Sequence, residues 1–571
     1  MQANSEMMKK VDPQAFLEEL LQEQHELSAI EKYAQQHDAG DLPEQEQYYR
    51  DLIPLSKPAS GEQYAFEVDL DLCSGCKACV TACHNLNGLA EEETWRNVGI
   101  VLGGNEDEPV QQHVTTACHH CVEPACMHGC PVNAYEKDED TGIVKHLDDQ
   151  CIGCQYCILK CPYEVPKYNK ERGIVRKCDM CSDRLSVGEA PACVQACPTE
   201  AIRIVLVDKN KIVDGTQAGS LVPGAPESSY TQPTTTYKKK DALPNNTLPG
   251  DFYNVKPQHA HPPLVIMLVL TQLSVGAFCV NLVLQNFISN EIVKSMEVVY
   301  AVSAFVLGII AIHSALFHLG RPLYAFRAFL GLKKSWLSRE IVVFGAFAGA
   351  AMIYAMLSAL PLPAIKERFT APQFLYNDTL LLAAGIAVAI TGIIGVICSV
   401  MIYGDCRKDI WRESITGIKF FGSMIITGLS TIIFISLIAA MFMDSIDAIL
   451  LMSAYGEKLC LILLVCTVAK LIWEASIFRH LRDHSHTVHK RSAILMIRDL
   501  STITQLRFAA GLLGGIVIPL FIMLQYASDT SATVICILAG VSFIFTLLGE
   551  FAERYLFFSA AVSDRMPGNI S

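Results

Sequence analysis

The chain has 571 residues, a formal net charge of −13 and hydrophobic residues at 51% of its positions. A chain of this length is expected to hold more than one domain, and its acidic balance gives no reason to expect nucleic acid as a partner. The mean hydropathy is +0.30 although the first half of the chain is polar. The surplus of apolar residues therefore lies in the second half.

The N-terminal region, residues 1–63, predicts a helix followed by an extended arm. Its first thirty residues lack the apolar core of a signal peptide. A helix opens at Asp12-Pro13, with proline at the first helical position. Its apolar side is formed by Phe16, Leu17, Leu20, Leu21, Leu27 and Ile30. We expect this side to fold back on the following domain, since apolar helix faces usually bury within their own protein. The alternative is that the helix packs against a partner subunit.

Residues 64–207 hold sixteen of the 22 cysteines, in four groups of four. The groups are Cys73, Cys76, Cys79 and Cys83; Cys118, Cys121, Cys126 and Cys130; Cys151, Cys154, Cys157 and Cys161; and Cys178, Cys181, Cys193 and Cys197. The third group is C-x2-C-x2-C-x3-C-P, the ligand run of a bacterial ferredoxin. His84 stands where the other groups have proline after the last cysteine. Sixteen thiolates in this pattern predict four [4Fe-4S] clusters.

Two other metal sites are compatible with parts of the pattern. A structural zinc site needs only two C-x2-C pairs and has no use for the recurring C-x3-C-P, so the spacing argues against zinc. A Rieske centre would use the C-x-H sequences at Cys118 and Cys126, but the chain has no C-x-x-H to complete it. His119, His120 and His128 are therefore expected to lie beside the clusters or in solvent.

The second half of the chain predicts a membrane domain. Residues 208–262 are rich in Pro, Thr, Ser and Lys and predict a connector along a surface. Eight apolar runs long enough to span a bilayer follow, and residues 559–571 form a tail. The runs are 263–286, 297–317, 341–361, 379–403, 420–443, 457–478, 506–526 and 533–557. The fold class predicted is an α+β double ferredoxin-like domain followed by an all-α bundle of eight transmembrane helices.

Basic residues are distributed unequally between the two sides of this bundle. Eight spans place both chain ends on one side, where the loops carry fifteen Lys and Arg residues, against four in the opposite loops. Cytoplasmic loops carry the excess of Lys and Arg. The cluster domain is therefore expected to face the cytoplasm at the inner membrane.

Ionisable residues also concentrate at the ends of the spans nearest the clusters, and such residues are candidates for function. They are His313, His318, Arg321, Arg339, Glu340, Lys470, Glu474, Glu550, Glu553 and Arg554. An electron chain that ends at a membrane needs a lipid-soluble carrier of two electrons and two protons, which quinone provides. Haem b would need histidines on facing helices, whereas His313 and His318 share one. We expect quinone to bind near His318, Arg321, Arg339, Glu340, Glu553 and Arg554.

Two stretches of the chain resemble subunits of the DMSO reductase family of molybdopterin oxidoreductases. Residues 64–205, with CSGCKACVTAC, CHHCVEPACMHGCP and CIGCQYCILKCP, resemble the four-cluster subunit. Residues 262–558, with HLGRPLYAFRAFL, SWLSRE and ERYLFF, resemble the haem-free membrane anchor. These are usually separate chains, so the sequence is similar to a natural fusion of the two. The resemblance covers about three quarters of the chain.

The resemblance implies how the cysteines are shared between clusters. It groups Cys73, Cys76 and Cys79 with Cys197; Cys178, Cys181 and Cys193 with Cys83; Cys118, Cys121 and Cys126 with Cys161; and Cys151, Cys154 and Cys157 with Cys130. It also implies a quinone site that includes His318 and Glu340, and a separate catalytic subunit carrying molybdenum bis-pterin. This chain would then be a redox subunit without catalytic residues of its own.

The expected cytoplasmic topology makes the chain more similar to quinone-coupled dehydrogenases that oxidise sulfite to sulfate. The alternative is a quinol-oxidising subunit of a DMSO, polysulfide or similar reductase, running in the opposite direction. Two hypotheses of other classes remain: a module that couples quinone chemistry to ion translocation, and a membrane scaffold stabilised by metal without a redox role.

Overall fold

The structure is a computed structural model that describes residues 13–26, 28–39, 46, 48–216, 221–287, 291–368, 372–442, 448–527 and 531–568. It has an N-terminal domain built around the cysteines and a C-terminal bundle of long helices. This confirms the predicted fold class. The first strand begins at Glu62 and the last strand of the cysteine region ends at Asp208.

The N-terminal region begins with two helices, α1 (Pro13–Glu26) and α2 (Ala29–Ala39). The side chains of Leu17 and Leu21 are exposed in α1 by 57% and 52%. The expected fold-back of this apolar side is therefore not seen at these positions, while Asp12 and Leu27, and the side chains of Phe16 and Ile30, lie outside the described residues. The arm that follows is anchored instead by buried Tyr49 and Leu52.

In the described part of the chain, four small sheets and short helices frame the cysteines. The strands are β1 (Glu62–Asp69), β2 (Asn97–Gly104), β3 (Pro109–Thr116), β4 (Tyr135–Lys137), β5 (Val144–His146), β6 (Lys167–Asn169), β7 (Ile174–Arg176), β8 (Ile202–Asp208), β9 (Thr236–Lys238) and β10 (Leu248–Pro249). The helices are α3 (Ala78–Leu86), α4 (Ala125–Gly129), α5 (Tyr156–Lys160), α6 (Ser182–Ser186), α7 (Ala192–Gln195) and α8 (Lys209–Thr216). Strands β4 with β5 and β6 with β7 form two antiparallel hairpins beside the inner cysteine groups.

The connector has more regular structure than its sequence predicts. It contributes β9, which pairs in parallel with β1, and β10, which pairs with β2. The two larger sheets therefore have the strand orders β8-β1-β9 and β10-β2-β3. Strands of two or three residues are too short to show alternation in a sequence, which explains why the pattern does not reveal them.

Among the described residues of the second half, eight helices are long and apolar enough to cross a membrane, as predicted. These spans, numbered one to eight, are Pro262–Asn286, Lys294–His318, Trp336–Ala359, Asp378–Gly404, Glu413–Phe442, Ile449–Arg482, Ser501–Tyr526 and Ala532–Ser559. Their regular α-helical parts are α9 (Pro262–Phe287), α10 (Glu291–Ser314), α11 (Trp336–Ala359), α13 (Asp378–Gly404), α14 (Glu413–Phe442), α16 (Glu457–Ala475), α18 (Ser501–Leu512), α19 (Ile518–Ala527) and α20 (Ala532–Ser559). Of the shorter α-helices in the described residues, α12 (Pro363–Lys366) and α17 (Val488–Ile497) lie between spans, and α15 (Ala448–Leu451) lies at the start of the sixth span.

The cysteine domain packs on the end of the bundle that carries the basic loops. The buried Lys160 side chain forms an ion pair with Asp405, with Nζ 2.6 Å from the carboxylate oxygen. The Tyr156 hydroxyl donates to the carbonyl of Ile402 at 2.9 Å. Ser335, before the third span, donates to the carbonyl of Gly129 at 2.8 Å. These polar contacts fix the second and third cysteine groups directly against the membrane domain.

Candidate redox site

The structure brings cysteines from distant parts of the chain together. Cys73, Cys76, Cys79 and Cys197 line one cavity, and Cys118, Cys121, Cys126 and Cys161 line another. Cys83 lies among Cys178, Cys181 and Cys193, while Cys130 lies among Cys151, Cys154 and Cys157. These are the four sets that the family resemblance implies.

The loops that hold these cysteines turn through left-handed backbone conformations. Lys77 and Gln155 have φ of 64° and 59°, directly before the short helices α3 and α5. Gly153 has φ of 69°, and a Cβ there would lie 2.3 Å from the carbonyl oxygen of Gly173. Such turns bend a C-x2-C-x2-C run around a centre, and glycine adopts this conformation at no steric cost.

Backbone amides point at the cysteine sulfurs. The amide of Ala134 donates to Cys130 Sγ at 3.2 Å, and that of Ala201 donates to Cys197 Sγ at 3.3 Å. Hydrogen bonds to ligand sulfur are a feature that tunes iron–sulfur clusters. Within the described ranges, no group of three or more His, Cys, Asp or Glu side chains is placed to hold a single metal ion. Four thiols around a cavity, with amide donors to sulfur, fit a multi-iron cluster, which supplies one-electron transfer when bound.

The four cysteine sets form a row from the protein surface to the membrane domain. Cys76 is exposed at one end. Cys79 and Cys193 belong to adjacent sets and lie within electrostatic reach of each other, as do Cys178 and Cys118. Two fully buried basic side chains lie along the row: Arg96 between the first two sets, and Lys177, whose Nζ is 3.6 Å from Cys118 Sγ. Clusters held by these sets would therefore lie one after another along the domain and would supply stepwise one-electron transfer.

The crossed arrangement predicts which cysteines share a spectroscopic signal. Cys197→Ala is expected to remove the same EPR signal as Cys73→Ala, because both thiols line one cavity. Cys193→Ala should remove the signal that Cys83→Ala removes. Each variant should lose about four iron atoms per polypeptide, measured with acid-labile sulfide on the purified complex. Cys279→Ala, in the first span, is the control that keeps all signals. A Cys197→Ala spectrum that matches Cys193→Ala would contradict the crossing.

A cavity of about 170 Å³ lies where the third cysteine group meets the membrane domain. One wall is the loop around Cys154, and the polar groups of the other walls include His318 and Glu340. His318 Nε2 is 3.2 Å from the carbonyl oxygen of Cys154. Glu340 is 3% exposed and accepts a hydrogen bond from the Ser399 hydroxyl. The apolar lining includes Leu264, Met267, Leu268, Ile312, Leu316 and Phe344. An apolar cavity with a few convergent polar groups is typical of a small-molecule site.

Four other candidate residues lie outside this cavity. Arg321 contacts the cysteine domain, where its Nη1 donates a hydrogen bond to the carbonyl oxygen of Asp148 at 2.9 Å. Arg339 donates to the carbonyls of Leu332 and Lys333 in its own loop. Adjacent positions on a helix point in different directions, so Arg339 and Glu340 separate although both open the third span. The remaining two, Glu553 and Arg554, belong to a different polar cluster.

That cluster is a buried ionic network between spans five to eight. Glu550 pairs with Lys470 at 2.5 Å and with Arg507 at 3.0 Å, and Arg507 also pairs with Glu474 at 2.7 Å. Lys470 and Glu474, four residues apart on one helix, are 3.7 Å apart, and each has a closer partner on another helix. Ser423 lies at the centre and accepts from Lys470 at 2.8 Å.

Glu553 and Arg554 extend the network toward a second cavity of about 240 Å³. Glu553 lines this cavity and lies 3.0 Å from Lys419, while Arg554 donates to Gln272 at 2.9 Å. Tyr403 of the first cavity and Phe557 of the second have ring centroids 5.0 Å apart. A layer of aromatic side chains therefore separates the two cavities.

Two contributors to the first cavity were missed from the sequence. His261, in the connector, lines the cavity with its imidazole 4.9 Å from that of His318, measured between ring centroids. Ser399, in the fourth span, bonds Glu340. The HAHPP sequence next to the first span is a signal that could have identified His261. A serine in an apolar span gives no such signal.

Comparison with known proteins matches both halves of the chain. Residues 110–207 match the 4Fe-4S dicluster domain, and residues 258–560, more than half of the chain, match the DMSO reductase anchor subunit (DmsC). The B subunit of anaerobic dimethyl sulfoxide reductase is 36% identical over 186 residues in Haemophilus influenzae and over 203 residues in Escherichia coli strain K12. These alignments cover 31% and 34% of the present polypeptide and 89% and 98% of the relatives.

A third relative is named for formate dehydrogenase and not for dimethyl sulfoxide reductase. The formate dehydrogenase iron-sulfur subunit of Haemophilus influenzae is 37% identical over 162 residues, which is 25% of this chain and 52% of that protein. The membrane half, in contrast, matches the anchor family along nearly its whole length. The chain therefore belongs to the DMSO reductase family, and it joins in one polypeptide the electron-transferring iron–sulfur subunit and the membrane anchor subunit of such a complex.

Proposed function

We propose that this chain carries electrons between a separate molybdenum bis-pterin catalytic subunit and membrane quinone, through four [4Fe-4S] clusters. The observation that carries the proposal is the cavity that the two halves share. The Cys154 loop forms one wall, and His318 contacts that loop from the membrane side. A molecule in this cavity would lie against the innermost cysteine set.

The chemistry of the cavity fits a quinone ring. Its walls are largely apolar, and Leu316 and Ile341 both line it and are exposed on the bundle surface by 39% and 40%. A lipid-soluble molecule could therefore reach it from the bilayer. The Glu340 carboxyl and the His318 imidazole would hydrogen-bond the quinone oxygens. Glu340 can exchange a proton there, and the His318 contact with Cys154 orients the ring.

The opposite end of the row supports docking of the catalytic subunit. Cys76 is exposed there, and Leu72 and Leu86 beside the first cysteine group are exposed by 42% and 51%. Exposed apolar side chains around an electron-transfer group favour a protein partner. The molybdenum subunits that accompany such chains in this family would bind at this end.

The orientation we propose places the cluster domain in the cytoplasm. The basic loops before spans three and five contact this domain through Arg321, Arg327 and Ser335, and through Asp405. The excess of Lys and Arg on this side supports a cytoplasmic location at the inner membrane.

Two directions of electron flow fit the conduit. The cytoplasmic orientation favours sulfite oxidation, with electrons delivered to quinone. The names of the relatives and of the anchor family favour quinol oxidation that supplies a reductase acting on DMSO or a similar acceptor. The formate dehydrogenase subunit has a similar sequence identity to this chain. Similarity in the cluster domain alone therefore does not distinguish the two directions of electron flow.

EPR on anaerobic membranes that contain the native complex separates the two directions. If sulfite alone produces [4Fe-4S] signals that decay when a quinone analogue is added, electrons enter from sulfite and leave to quinone. If sulfite has no effect and clusters pre-reduced with a quinol are reoxidised by DMSO or polysulfide, the direction is the reverse. Clusters that respond to neither quinol nor quinone would contradict the conduit itself.

A further inference from the structure

The connector brings two histidines to the rim of the shared cavity. His259 is exposed, whereas His261 is 9% exposed and lines the cavity. Among the described residues, the buried His261 Nδ1 has no hydrogen-bond partner. His261 also has φ of 49°, a left-handed conformation that is uncommon for a side chain other than glycine. Such strained residues concentrate at functional sites.

The imidazoles form a row from the surface to the cavity. The ring centroids of His259 and His261 are 4.6 Å apart, and those of His261 and His318 are 4.9 Å apart. Phe558, from the eighth span, closes the apolar side of His261 with its ring centroid 5.9 Å away. The exposed His259 therefore touches the buried imidazole that faces the cavity.

In the described part of the chain, the carboxyl and phenol groups that line the cavity are buried, and His318 is partly exposed. Glu340 is buried and bonded to Ser399, and Tyr156 donates to the carbonyl of Ile402. Tyr403 is enclosed by aromatic rings that include Phe557. The Nε2 of His318 is hydrogen-bonded to the carbonyl oxygen of Cys154, and we assign this side chain no proton transfer.

We propose that His261 and His259 carry protons between the quinone in this cavity and the solvent on the cluster side of the membrane. This proposal rests on the quinone site proposed above. A quinol that is oxidised to quinone loses two electrons, which pass one at a time to the innermost cluster, and two protons. Each proton passes to His261, directly or through Glu340, and then to His259 and to water. Quinone reduction takes up the same two electrons and two protons by the reverse route.

The surroundings of His261 keep its imidazole in the neutral form. Burial, with smaller contributions from His318 and His259, lowers the pKa of His261 to about 3. The imidazole is therefore neutral at physiological pH, and in this form it can accept a proton from a quinol hydroxyl.

The left-handed backbone at His261 allows a direct test. In His261→Gly the backbone keeps its conformation without strain, and the missing side chain leaves space for free imidazole. In the complete complex, we expect quinone-coupled turnover to fall by about 10²-fold and added imidazole to restore a large part of it. The cluster EPR signals should stay as in wild type. His259→Gln should show a smaller loss.

His313→Gln is the matched control, because His313 is exposed at the same end of the second span and bonds its own helix. Its turnover should be unchanged and independent of imidazole. Turnover of His261→Gly within twofold of wild type would overturn the relay, as would a loss that imidazole does not restore. If Glu340→Gln is also unaffected, the quinone site itself is misplaced; if only Glu340→Gln loses turnover, the site stands and the relay fails.

Discussion

Glu340→Gln is expected to lower quinone-coupled turnover by about 10²-fold or more, the size of a lost general acid–base contribution. Glutamine keeps the volume of the side chain and can still accept the hydrogen bond that Ser399 gives Glu340. It cannot exchange a proton with quinone. The measurement is steady-state oxidation of a quinol, or reduction of a quinone analogue, by membranes that contain the full complex.

Two controls test whether a loss of turnover is specific to the Glu340 carboxyl. Glu297→Gln changes a carboxylate near the opposite end of the second span, where it bonds Tyr354 at 2.9 Å, and should leave turnover unchanged. Reduction of the clusters by dithionite should be the same in wild type and Glu340→Gln, because the cysteine sets do not depend on this side chain. A Glu340→Gln complex with wild-type turnover would show that the cavity is not where quinone reacts.

Glu550→Ala should be the most destabilising substitution in the membrane domain. Glu550 is 1% exposed and bonds Lys470, Arg507 and Ser423. Removing one partner of a buried ion pair leaves an uncompensated charge and costs about 3–5 kcal/mol. We expect a clear fall in the thermal unfolding temperature of the detergent-solubilised complex and a lower yield of folded protein.

A double substitution in the ionic network tests whether removing both charges restores stability. In Lys470→Met/Glu550→Leu both charges are removed together, so part of the lost stability should return. Glu457→Ala, at an exposed position in the first turn of α16, is the control and should unfold at the wild-type temperature. An unchanged unfolding temperature for Glu550→Ala would mean that the ion pairs contribute nothing to the stability of the bundle.

The position of this network bears on the quinone site. Glu550 and Arg507 hold spans six, seven and eight together, and the eighth span supplies Phe557 and Phe558. Both rings contact Tyr403 of the quinone cavity, at centroid distances of 5.0 and 5.5 Å. A loosened network would therefore displace a wall of the cavity. Quinone turnover of Glu550 variants should be compared only on the folded fraction.

The sequence by itself determined the parts of this protein that depend on local pattern. The spacing of the cysteines predicts iron–sulfur ligation because a short loop must present three thiols to one centre. Apolar runs of about 20 residues predict spans because that length crosses the hydrocarbon core. The sharing of cysteines between sets came from family resemblance, and the structure places them in the same sets.

Tertiary structure alone decided which span residues share a cavity. Sequence shows how deep a residue lies along a helix, and it places His318, Glu340, Glu553 and Arg554 at one end of the bundle. The eight spans are apolar around their whole circumference, so the pattern does not tell which side of a helix faces which neighbour. Packing puts His318 and Glu340 with the Cys154 loop, and Glu553 and Arg554 with the ionic network. It also places the connector's His261 in the cavity, because a segment without periodicity is positioned only by the surface it follows.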